Sequence, residues 1–211
     1  SSVSVTLDAA KDTSIYSETT NHGNGASDQI VAGNAASLGA VQVGVRRALV
    51  EFDVAGTVPA GATILTSQLQ LTNTFAPTNP TGAQTVAIHR VNTEWGEGPA
   101  SGAIGGGVPA QTGDATWADS VLGTPWGTSG GDFEVTASAS TSVNTVGAYT
   151  WTSATVITDT QLWLDTPGDN HGWIVRCPEV SGVRSAKVFG SRTFATGSSQ
   201  PKLAITYRPA L

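Results

Sequence analysis

The chain contains no methionine, a single cysteine and only 10 Lys+Arg in 211 residues. The lone Cys177 excludes an internal disulfide framework and a cysteine-based zinc site. Sixteen Asp+Glu leave a formal net charge of −6 and a pI near 4.8, the wrong sign for gripping a nucleic-acid backbone, so no nucleic-acid partner is expected. Charged residues make up 12% of the chain, against roughly 25% in an average soluble domain. No apolar run approaches the roughly 18 residues of a membrane-spanning helix. Heptads of Glu, Lys, Ala and Leu are missing, which excludes a coiled coil or helical bundle. No Asn-x-Ser/Thr sequon occurs. A disordered tail is also excluded, because 39% hydrophobic residues and 6 Trp support a core.

What is present is a period-2 alternation from end to end. Val3, Val5 and Leu7 alternate with Ser4 and Thr6. Ala48, Val50, Phe52 and Val54 share one face of a strand. The same holds for Leu65, Ser67, Leu69 and Leu71, for Val86 and Ile88, and for Leu203, Ile205 and Tyr207. Further strands are expected near 14–17, 29–32, 133–137, 148–151, 172–177 and 187–194. Only residues 153–165 break the pattern. Val156, Ile157, Trp163 and Leu164 predict one short helix there, N-capped by Ser153 or Thr155 and stopped by Pro167 and Gly168. The Gly-rich stretch 96–131 is expected to wrap across one sheet. The expected fold is all-β: a jelly-roll-like antiparallel β-sandwich with one short helix, forming a single domain over residues 1–211.

Several segments in order resemble the DNRLRE-type domain of secreted bacterial and archaeal proteins. They begin with Asp12-Thr13-Ser14-Ile15-Tyr16 and Asn21-His22-Gly23-Asn24-Gly25. Arg46-Arg47-Ala48-Leu49-Val50-Glu51-Phe52-Asp53, Glu94-Trp95-Gly96-Glu97-Gly98 and Asp169-Asn170-His171-Gly172-Trp173 follow. The set closes with Phe189-Gly190-Ser191-Arg192 and Pro201-Lys202-Leu203-Ala204-Ile205-Thr206-Tyr207. The resemblance implies a jelly-roll sandwich that is secreted or held at a cell surface. It is similar to the family 96 carbohydrate-binding modules, some of which bind the acidic polysaccharide alginate. Where members of the family often carry Asp-Ser-Arg-Glu, this chain has Gly190-Ser191-Arg192-Thr193, so both acidic positions are lost.

Sugar recognition calls for exposed aromatic rings, or for Arg and Lys forks matched to carboxylates. Trp117 and Trp126, in the long stretch, are the aromatic candidates, whereas Trp95, Trp163 and Trp173 read as packing residues. Arg176, Arg184, Lys187 and Arg192 crowd the late part of the chain and form either an anion-binding strip or a scatter of solubilising charges. Asp12, Asn21, Asn24 and Asp28 supply oxygens for a structural calcium ion or for simple Asx turns. His89 reads as a surface or interface residue. Cys177 reads as a buried inert thiol or as a dimerising one.

Catalytic motifs are poor. Gly127-Thr128-Ser129-Gly130-Gly131 matches Gly-x-Ser-x-Gly, with Asp165 and His171 after it in triad order, but it lacks the strand and helix that build a nucleophile elbow. Glu94 and Glu97 flank Trp95 as solvated turn acids rather than an acid–base pair. The expectation is a non-catalytic extracellular carbohydrate-binding or adhesion module with a polysaccharide partner. The alternative is a structural subunit of a surface layer or fibre, self-associating by strand addition through residues 1–7. The opening Ser1-Ser2-Val3 reads as a mature end after leader removal.

Overall fold

The computed structural model describes residues 1–35, 44–78 and 80–210. In chain order the elements are β1 (Val3–Asp8), β2 (Lys11–Tyr16), β3 (His22–Gly23), β4 (Gln29–Asn34), β5 (Val45–Glu51), α1 (Val54–Thr57), β6 (Thr63–Asn73) and β7 (Gln84–Arg90). Then come β8 (Val108–Pro109), β9 (Asp119–Val121), β10 (Thr124–Pro125), β11 (Ala139–Val143), β12 (Gly147–Trp151), α2 (Ala154–Asp165), β13 (Trp173–Arg176), β14 (Lys187–Gly190) and β15 (Lys202–Arg208).

The strands form an antiparallel β-sandwich. The first layer runs β1-β15-β6-β14-β4, with β12 also on β6. The second runs β11-β7-β13-β5, with β2 also on β5. Strand β4 belongs to both, because residues 29–32 pair with β14 while Gly33 and Asn34 pair with β5. The core lies between the layers and draws on residues from Leu7 to Tyr207, including Val50, Phe52, Leu69, Val86, Trp151, Trp173 and Phe189.

The helix α2 fills the sandwich as its pattern predicts. Val156, Thr160, Trp163 and Leu164 make its buried stripe, and the Ser153 hydroxyl caps it by accepting the Val156 N–H. Thr160 bonds Ser67 of β6 at 2.7 Å, and Trp163 meets Trp173 edge-on at 4.5 Å. The long Gly-rich stretch does wrap one sheet. Ala115 and Trp126 pack with Ile15, Leu49 and Ile174 on the outer face of the second layer.

Some boundaries differ from the sequence pattern. The strand through Val50 ends at Glu51, because Asp53 caps the single turn α1 by accepting the Gly56 N–H. In β6, Thr206 faces Thr66 and Tyr207 faces Ile64, so Leu65 is the extra residue of a bulge and Ile64 turns inward in its place. Residues 133–137 hold only a bridge at Phe133, and the strand lies later, at β11. Its inward residues Ala139, Thr141 and Val143 are too weakly apolar to announce it. Strand β14 stops at Gly190, where an added Cβ would meet the Ser199 carbonyl oxygen at 2.4 Å.

Candidate functional site

The four late cations do not form a strip. Arg176 ends β13 in the second layer, whereas Lys187 begins β14 in the first. Arg176 bonds Glu179 at 3.1 and 2.7 Å, and Arg47 forks the same carboxylate at 2.8 and 2.9 Å. Burial alone would raise the Glu179 carboxyl, but the hydrogen bonds and charges of the two guanidinium groups hold it down at about 2. Arg192 forks Glu97 instead, at 2.5 and 2.6 Å. Lys187 is buried and donates to the Gly82 and Asn144 carbonyls at 2.7 and 3.0 Å. Arg184 is half-buried and lines a cavity with Arg46, Ile104 and Val31. Closeness in sequence misleads here because the turn after β13 carries the chain from one layer to the other.

The two loop tryptophans offer no open platform. Trp126 is 5% exposed and donates its indole N–H to the Thr116 carbonyl at 2.8 Å. Trp117 is half-buried beneath the Arg47 guanidinium, 4.7 Å from its ring. Its other neighbour is Gly130, where φ is +92° and an added Cβ would press on the indole at 2.7 Å. Trp95 is buried, as its turn position suggests, and bonds the His171 carbonyl at 2.9 Å. His89 is also buried rather than at the surface. Its ring lies edge-on to Phe133 and its Nδ1 bonds the Glu134 carbonyl. Burial moves the ring below the usual histidine range. Cys177 is 2% exposed, and burial pushes its thiol up to about 12, which leaves it inert and out of reach of a partner thiol.

The four proposed calcium ligands lie in different settings. Asn21 and Asp28 are exposed. Asn24 is buried, but its amide is committed to the Tyr16 hydroxyl and the Gly102 N–H, both at 2.8 Å. Asp12 is buried, and its Oδ2 accepts the Arg192 N–H at 2.6 Å. Among the described residues its Oδ1 has no hydrogen-bond partner, and the nearby Arg192 guanidinium is held by Glu97. Among the described residues no group of three or more His, Cys, Asp or Glu is placed to hold a metal ion. Asn24 is committed to other partners and Asn21 and Asp28 lie at the surface, so these four side chains do not by themselves supply the six to eight oxygens that calcium takes. Burial raises the Asp12 carboxyl to about 7, Glu97 adds to the shift, and the Arg192 N–H and charge oppose it.

The serine motif is an exposed loop rather than an elbow. Asp132 accepts the Gly127 and Thr128 N–H groups at 2.8 and 2.7 Å. Asp165 accepts from Gln161, and His171 Nδ1 lies 2.9 Å from Glu94, so Ser129, His171 and Asp165 are not linked. Although burial would raise it, Glu94 is held below the usual carboxylate range by Lys11 and His171, the opposite of what a general acid needs.

The outer face of the second layer is covered by the long stretch, whereas the outer face of the first layer carries polar side chains. Opposed positions put Ser4, Thr206 and Thr66 in one row, Thr6, Ala204 and Gln68 in the next, and Asp8, Lys202, Gln70 and Thr150 in a third. Ser4 and Thr206 bond at 2.9 Å and Lys202 pairs with Asp8. Thr6, Thr66, Gln68 and Gln70 have no side-chain hydrogen bond among the described residues. The groove of about 600 Å³ beside these strands is centred on their inward residues Val5, Ser67 and Ile205 and on Ser153 and Ile157 at α2, so it lies on the α2 side of the layer and not on this face. The signal was present in the sequence as the polar half of each alternation. No protein-family model matches the chain, and no curated protein is significantly similar to it.

Proposed function

We propose that the chain is a non-catalytic carbohydrate-binding or adhesion module, working outside the cell or at its surface. The observation that carries this is the open grid of hydroxyls and amides on the outer face of the first layer. Strands lie about 4.8 Å apart, and same-face residues along a strand about 6.8 Å apart. Each Gln amide and Thr hydroxyl both donates and accepts, as a sugar hydroxyl does. A flat face of this kind suits an extended polysaccharide. Because most late cations are committed to internal partners and the chain is net negative, the grid favours uncharged glycans over acidic ones such as alginate. Affinity electrophoresis in gels containing glucan, xylan, mannan or alginate tests this. Retardation by an uncharged glycan, persisting in chelator and lost in Gln68→Ala/Gln70→Ala, is the expected result.

A second reading rests on β1. Among the described residues it pairs along one edge only, with β15, and Val3 near its start is 38% exposed. Such an edge accepts a strand from another copy, giving a fibre or layer subunit. Concentration-dependent polymers in analytical ultracentrifugation, with no glycan retardation, would favour it.

A further inference from the structure

One end of the sandwich holds a buried ammonium that has no carboxylate partner among the described residues. Lys187 begins β14 in phase with Phe189, whose ring packs on Trp151, so its side chain enters the mouth between the layers. It is 5% exposed. Two of its three N–H groups go to the Gly82 and Asn144 carbonyls. No ion pair to Lys187 occurs among the described residues, whereas Lys11, Arg46, Arg47, Arg90, Arg176, Arg192 and Lys202 each have at least one. A buried charge lacking a counter-charge is costly, and burial lowers the amine's pKa accordingly.

A cavity of about 310 Å³ opens beside this amine, at the low end of the ~300–1,000 Å³ typical of small-molecule sites. Its walls include Phe75, Pro77, Pro80 and Val146, and Phe75 and Val146 are 48% and 53% exposed. Thr81 also lines it, and among the described residues the buried Thr81 hydroxyl has no hydrogen-bond partner. We propose that this mouth binds a small organic carboxylate with an apolar body. The carboxylate takes the third Lys187 N–H and the Thr81 hydroxyl, and the body lies against Phe75, the prolines and Val146. Charge complementarity selects the head and the apolar walls select the tail. A neutral ligand would leave the ammonium uncompensated, and a bare inorganic anion would leave the walls unused. The site is separate from the polar sheet face and does not rest on glycan binding.

The probe is hexanoate, with hexan-1-ol and acetate as controls, titrated into the full chain by calorimetry and by amide NMR. Hexanoate should bind at least tenfold more tightly than either control, with shifts centred on Phe75, Thr81, Asn144 and Lys187. Lys187→Met should lose at least tenfold while remaining folded, and Phe75→Ala should lose severalfold with the charge preference kept. Should Lys187→Met fail to fold, the hexanol comparison and Phe75→Ala still decide. Equal binding of hexanol, acetate as good as hexanoate, unchanged affinity in Lys187→Met, shifts confined elsewhere, or no binding at millimolar hexanoate would each overturn the proposal.

Discussion

The backbone N–H of Arg192 donates to Asp12 Oδ2 at 2.6 Å across 180 residues of chain. The Arg192 guanidinium forks Glu97, and Glu97 in turn accepts the Asp12 N–H at 2.9 Å. The three residues thus fasten β2 at the margin of the second layer to the segment after β14 in the first.

This corner sets a pH dependence. With its carboxyl raised from 3.8 to about 7, Asp12 holds its proton more strongly in the folded chain than in the unfolded one. Its contribution to stability is therefore fully present below about pH 3.8 and is lost as pH rises towards 7. At ~1.36 kcal/mol per pKa unit the effect reaches a few kcal/mol. Asp12→Asn, which fixes the uncharged form, should raise the urea midpoint at pH 7.5 and flatten the profile between pH 4 and 7. An unchanged or lowered midpoint at pH 7.5 would contradict this account of Asp12.

Glu179 works in the opposite direction. Its carboxyl is held at about 2 against an ordinary 4.5, so its stabilisation is present above pH 4.5 and is lost as pH falls towards 2. Breaking a buried ion pair costs about 3–5 kcal/mol, and partial exposure of Arg47, Arg176 and Glu179 reduces that to roughly 2 kcal/mol for Glu179→Gln. Urea denaturation at pH 7 measures it, and a loss of less than ~0.5 kcal/mol would show the fork to be incidental.

Trp126 carries the wrap of the long stretch over the second layer. Trp126→Ala should cost about 3 kcal/mol by emptying a buried site and orphaning the Thr116 carbonyl, with glycan retardation unchanged in the variant that remains folded. Loss of glycan binding without loss of stability would return the ligand site to this region.

Much of the sandwich was legible because one sheet face is buried, so period-2 alternation survives in β1, β6, β7 and β15. The helix was legible from its stripe and its Ser153 cap. The site was not. Arg176 and Lys187 are close in sequence but fall in different layers, and pairing across the fold, as in Arg192 with Glu97 and Arg47 with Glu179, leaves no local trace. The burial of Trp126 comes from residues 111 and 77 positions away, Ile15 and Leu49, and their face could not be assigned without the fold. Conversely, Gln68 and Gln70 occupy the polar half of the β6 alternation, which marks no site because polar outward residues are the ordinary half of any strand.

Glycan binding on the outer face of the first layer is tested by amide NMR of the labelled chain titrated with oligosaccharides of the glycan that retards it most in the gel panel. Shifts are expected only at Ser4–Thr6, Thr66–Thr72 and Lys202–Arg208, and they should disappear in Gln68→Ala/Gln70→Ala without change in melting temperature. Shifts centred instead on Trp117, Arg176 or Arg192, or no shifts with any glycan of the panel, would contradict it.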